Sequence, residues 1–177
     1  TNDLFVEERM ITTTSYQWNE TPLQNLFTAH IIGYLTAPEN GNYKFAIASD
    51  DHSILYLGTT DQRSSKREIC NYNGSTGRWN VGAQLGNQQS ALIALTAGKR
   101  YYIEAVYRDG TGGDGVSVFW QTPSGPALST ANENVQANTQ PFLIPAMYLS
   151  TFNPFGTVFL NPDTKKVDRD VPDFTYM

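Results

Sequence analysis

The chain has 177 residues, enough for one domain with a substantial core and too few for two full ones. A net charge of -5, with no Lys/Arg run longer than pieces such as Lys66-Arg67 and Lys165-Lys166, argues against nucleic acid or an anionic membrane surface as partner. Cys70 is the single cysteine, which excludes an internal disulfide and a cysteine-based zinc site.

Aromatic residues make up 12% of the chain and charged ones only 16%, beside abundant Gly, Asn, Thr and Ser, the balance of an all-β, loop-rich exported protein. No stretch approaches the roughly 18 apolar residues of a membrane span, and no signal peptide opens the chain. The start at Thr1 reads as that of a piece of something longer, so the missing export signal carries no weight.

Period-two patterning dominates, and no segment holds a 3.6-residue stripe over three turns. AHIIGYLT (29–36) predicts a strand ended by Pro38 and the turn ENGN, after which Tyr43, Phe45 and Ile47 alternate with Lys44, Ala46 and Ala48. SILYLG (53–58) predicts the next strand. Residues 58–90 are polar and read as a surface excursion around a short strand near Glu68 to Cys70. ALIAL (91–95) and RYYIEAVYR (100–108), separated by AGK, predict a hairpin. VSVFWQT (116–122), with Val116, Val118 and Trp120 on one face, is stopped by Pro123, Gly125 and Pro126. A polar connector (129–140) follows, and residues 153–177 read as a carboxy-terminal extension or linker arm to a domain of residues 1–152.

Two acidic, glycine-bearing loops stand out, SDDHS (49–53) and RDGTGGDG (108–115). Each lies between strong strands, and short strand-connecting loops gather at sheet ends, where two of them can meet. Ca²⁺ takes six to eight oxygens at about 2.3–2.6 Å, from carboxylates, backbone carbonyls and water. Asp50, Asp51 and Asp114 offer the carboxylates, and Gly112 and Gly113, having no Cβ, let backbone carbonyls turn inward. The same acids also suit ordinary turn chemistry, in which Asp50, Asp109 and Asp114 bond their own backbone, and the residues alone leave both readings open. GTGGDG precedes a strand and no helix, so it fails as a dinucleotide loop. His30, beside Ile31 and Ile32, reads as a satisfied strand histidine, and His52 beside the acidic pair forms no recognisable triad, so catalysis has little support. Tyr72 and Trp79 stand in polar surroundings, either as flat apolar platforms for sugars or as ordinary core.

GYLTAPENGNYKFAIASDDHSILYLG, then QQSALIALTAGKRYYIEAVYRDGTGGDGVSVFWQTPSG, then IPAMYLS together resemble the PA14 family over roughly residues 29–150. That resemblance implies a single antiparallel β-sandwich with long surface loops. In the family's sugar-binding branch, adjacent aspartates joined by a cis peptide hold one Ca²⁺, which binds vicinal hydroxyls of a hexose. Asp50 and Asp51 occupy those positions, Asp114 matches the side-chain donor of the second loop, and Gly112 and Gly113 stand for its carbonyl donors. Two carboxylates that close repel each other, and a divalent ion offsets the repulsion. Thr111, His52, Arg78 and Trp79 are the expected selectors among sugars.

The chain departs from the family pattern in three places. Its usual amino-terminal motif is not recognisable in TNDLFVEERMITTTSYQWN, His52 stands where a small residue is common, and the second loop carries Asp in place of Asn. The resemblance implies a calcium-dependent lectin module and not an enzyme, a monomer within a larger multidomain adhesin at the extracellular or bacterial cell surface. Its expected partners are glycans ending in galactose, glucose or fucose. A targeting module of a secreted glycosidase, or a structural spacer, are the alternatives.

Overall fold

A computed structural model describes residues 15–16, 26–74, 87–128 and 142–151. Arg78, Trp79 and the expected arm at 153–177 lie outside these residues. Among the described residues nine strands follow in chain order: β1 (Ser15–Tyr16), β2 (Thr28–Thr36), β3 (Gly41–Asp50), β4 (His52–Gly58), β5 (Lys66–Tyr72), β6 (Ile93–Leu95), β7 (Arg100–Arg108), β8 (Gly115–Gln121) and β9 (Leu149–Thr151). They form a four-stranded sheet, β1-β8-β3-β6, and a five-stranded sheet, β5-β4-β7-β2-β9, antiparallel throughout.

Alternation decides which side chains meet between the sheets. Tyr43, Phe45 and Ile47 of β3 and Val116, Val118 and Trp120 of β8 pack against Leu55 and Leu57 of β4, Leu35 of β2, and Tyr101, Ile103, Ala105 and Tyr107 of β7. Tyr43 and Trp120 lie 5.6 Å apart between ring centroids. Burying each such side chain contributes about 1.5–3 kcal/mol. The opposite face of the four-stranded sheet is covered as well: Ala46, Ala48 and Phe119 sit under Leu128 and Phe142, and Trp120 N–H donates to the Phe142 carbonyl at 2.8 Å.

The hairpin expected from ALIAL and RYYIEAVYR does not form. β6 pairs with β3 (Gly41↔Leu95), whereas β7 pairs with β2 and β4, so residues 96–99 carry the chain from one sheet to the other. Leu95 and Tyr101 both belong to the core, and only a crossing lets them enter it from opposite sheets. Gly98, at φ +71, makes the tight turn, and Gly98 N–H donates to the Ala37 carbonyl at 2.8 Å. The polar excursion is also less superficial than expected. β5 runs the full length from Lys66 to Tyr72, and Gln88 and Ser90 are buried along the edge of β3, where Ile47 N–H donates to the Gln88 carbonyl at 3.1 Å.

Two crossings between the sheets lie side by side at one end of the molecule. Asp51 alone joins β3 to β4, and residues 109–114 join β7 to β8. Their neighbourhood follows from register, since Asp50 pairs with Gly115 in one sheet and His52 with Arg108 in the other.

Candidate cation and glycan site

The Asp50–Asp51 peptide is cis. Its carbonyls are held from inside the sandwich. The buried Ser49 hydroxyl donates to the Asp51 carbonyl at 2.5 Å and lies 2.6 Å from the hydroxyl of Ser53, while the Tyr107 hydroxyl donates to the Asp50 carbonyl. With both carbonyls engaged below, the two carboxylates are directed at the second crossing.

There they meet backbone. Gly110 N–H donates to Asp51 Oδ2 at 2.6 Å, and a Cβ at Gly110 would lie 2.5 Å from that oxygen. A Cβ at Gly113 would lie 3.2 Å from Asp50 Oδ2. The expected meeting of the two loops is therefore realised, with Asp51 against Gly110 and Asp50 against Gly113. Thr111, Gly112 and Gly113 are exposed, Asp114 is half-buried, and Gly112 adopts φ +114 in open space.

The structure adds Asp109 to these acids. It is 1% exposed; its Oδ2 accepts from Leu26 N–H at 3.2 Å, and its Oδ1 lies 3.1 Å from the Tyr107 hydroxyl. Burial pushes its carboxyl above the usual range; the bonds from Tyr107 and Leu26 oppose this, and the charges of Asp114 and Asp51 reinforce it. Sequence reasoning took Asp109 for a turn residue. The signal was present, because Asp109 continues the inward parity of Tyr101, Ile103, Ala105 and Tyr107.

A cavity of about 360 Å³ opens beside the acids, lined by Asp51, His52, Asn73, Arg108, Asp109, Gly110 and Thr111. His52 and Thr111, two of the expected sugar selectors, thus share it, while Asn73 and Arg108 had no signal beyond their strand ends. Asn71 donates through Nδ2 to Glu68 Oε1 at 3.1 Å, which orients its amide, and His52 Nε2 donates to Asn71 Oδ1 at 3.2 Å. Tyr72 is 6% exposed and belongs to the core, because β5 extends to it with inward parity; it is not a platform. His30 Nδ1 lies 3.0 Å from Glu104 Oε1, the satisfied strand histidine that the sequence suggested.

Carboxylates and exposed glycine backbone are hard oxygen donors of the type that Ca²⁺ selects. Among the described residues no three His, Cys, Asp or Glu side chains are grouped to hold a metal. A cation fitted to this rim would therefore draw on Asp50 and Asp51 together with loop carbonyls and water.

The chain belongs to the PA14 domain family, whose model matches residues 8–133. The match begins at residue 8, ahead of the residues 29–150 that carry the resemblance in sequence. Fibrocystin-L of Mus musculus is 29% identical over 167 residues, spanning 89% of this chain and 4% of that protein. N-acetyl-beta-glucosaminyl-glycoprotein 4-beta-N-acetylgalactosaminyltransferase 1 of Mus musculus is 30% identical over 96 residues, 51% of this chain and 9% of the enzyme. Among solved structures, an anti-sigma factor domain-containing protein from Clostridium clariflavum is similar at a TM-score of 0.56 and 19% identity, covering 82% of this chain and 42% of that one. The Epithelial Adhesin 9 A domain from Candida glabrata, in complex with Galb1-3GlcNAc, gives a TM-score of 0.48 at 16% identity over 64% of this chain and 62% of its own. The curated relatives named here are mammalian, so a bacterial cell surface does not follow from them.

Proposed function

We propose that this PA14 domain is a calcium-dependent carbohydrate-binding module, displayed outside the cell as part of a longer chain. One observation carries the reading: Asp50 and Asp51 leave one sheet crossing and come to rest on the backbone of the other, at Gly113 and Gly110, beside a cavity open to solvent. Asp50 and Asp51 supply the first carboxylates. The exposed segment Thr111 to Gly113 supplies carbonyl oxygen, and Asp109 and Asp114 add negative charge around it. Ser49, Ser53 and Tyr107 hold the acidic pair in place from below. When bound, the cation supplies positions at which two neighbouring hydroxyls of a terminal hexose replace two waters. His52 and Thr111 then contact the ring, and hydroxyl geometry sets the choice among galactose, glucose and fucose.

Affinity for one monosaccharide is weak in such an open site, and avidity comes from repeated display. Calcium titration by calorimetry, followed by a glycan array with and without chelator, tests the reading. Calcium uptake with chelator-sensitive glycan signal is expected, and its loss in Asp50→Asn/Asp51→Asn. A folded protein that takes up no calcium, or shows the same array in chelator, overturns it. The 30% identity to part of a glycosyltransferase favours one second reading, the same binding module serving to target an enzyme fused to it.

A further inference from the structure

The cavity has two chemically different walls. Asp51 and Asp109 form one. The other comes from the outer face of the five-stranded sheet: Ser53, Leu55, Leu57, Tyr72 and Tyr107 point into the sandwich, so the alternate residues His52 and Arg108 point outward. His52 and Arg108 are direct cross-strand partners, which places their Cβ atoms about 4.5–5.5 Å apart. Asn73 follows Tyr72, the partner of Ser53, and so extends the same row across β5, β4 and β7.

Arg108 is the member without a counter-charge. Arg100 pairs with Asp61 at 2.9 Å and Arg63 approaches Glu104 at 3.9 Å, whereas among the described residues Arg67 and Arg108 make no ion pair, and of these two only Arg108 lines the cavity, beside two acids. The acids are turned towards the loop backbone and the core, and Arg108 is exposed. A planar, permanently charged fork beside an imidazole, an amide and the Thr111 hydroxyl is suited to a carboxylate or sulfate.

We propose that Arg108, with His52 and Asn73, forms an anion subsite next to the diol site, and that the preferred ligand is a hexose carrying a negative substituent. This rests on the calcium-dependent reading above, since a cation at Asp50 and Asp51 offsets the charge that would otherwise repel such a sugar. Neutral sugars engage the acid wall with His52 and Thr111, and acidic ones engage Arg108 as well.

The test is NMR titration of the whole domain in calcium with methyl galactoside, galactose 6-sulfate and galacturonic acid. Each is repeated with Arg108→Gln and Arg108→Lys after thermal melting shows that the variants fold. At least one charged sugar should bind about tenfold more tightly than the neutral one, as expected for a solvent-exposed charge-assisted contact. That ratio should fall to about one in Arg108→Gln and recover partly in Arg108→Lys. The two charged ligands distinguish a sulfate from a carboxylate preference. Equal binding of all three sugars, or a ratio unchanged in Arg108→Gln, overturns the anion subsite and leaves the lectin reading intact. Absence of binding by all three, with no calcium uptake, removes both.

Discussion

Gly110 has no room for a side chain, because a Cβ there would stand 2.5 Å from Asp51 Oδ2. Gly110→Ala must displace that carboxylate, and calorimetric titration should show calcium affinity reduced at least tenfold. Gly98, at φ +71 with nothing near its missing Cβ, lies at the other end of the sandwich. Gly98→Ala should cost about 1 kcal/mol of stability through backbone conformation alone, with calcium affinity unchanged. Cys70 presents a different case. It is buried, its Sγ lies 3.7 Å from the Phe45 carbonyl oxygen, and burial pushes its thiol up to about 12. A thiol-specific chromogenic reagent at pH 8 should leave the native protein unlabelled and react with one thiol per chain after unfolding in urea.

The β7 strand shows what alternation predicts and what it leaves out. Its inward residues were legible, but Glu104 on the outer face is 1% exposed, which no pattern of an outward carboxylate indicates. The reason lies in partners from three strands: Lys66 Nζ of β5 donates at 2.6 Å, the hydroxyl of Tyr102 on β7 itself at 2.7 Å, and His30 Nδ1 of β2 lies at 3.0 Å. Burial alone would raise this carboxyl, but the bonds from Lys66, Tyr102 and His30 outweigh it and hold it at about 2. A folded-state pKa below the unfolded one means stabilisation that is complete above about pH 4.5 and is lost as pH falls towards 2. Glu104→Gln should cost about 2–3 kcal/mol at pH 7 by urea unfolding, and the deficit should shrink by pH 3. The absent β6-β7 hairpin makes the same point at strand level. Turn residues and alternation both allowed it, but adjacent strands were needed in different sheets to close the core.

For the whole molecule, four acids (Asp50, Asp51, Asp109 and Asp114) are gathered at one rim of a chain already at -5. Calcium at 100 times its dissociation constant should add about 2.7 kcal/mol of stability. For a domain of this length that raises the melting temperature by roughly 5–10 °C, read by scanning calorimetry, and chelator should return it. Asp50→Asn/Asp51→Asn should melt at one temperature in both conditions.

Period-two alternation of Tyr43, Phe45 and Ile47, and of Val116, Val118 and Trp120, determined by itself that the protein is built of strands, because side-chain direction along an extended chain is a local property. The family motifs singled out the Asp50-Asp51 pair, whose peptide is cis in the structure. Only the tertiary structure decided that β6 and β7 part into separate sheets, that Asp109 turns inward beside Asp51, and that Arg108 joins His52 and Asn73 at one cavity. Each of these depends on register between strands distant in sequence, and register is set by how two whole sheets bury their faces together.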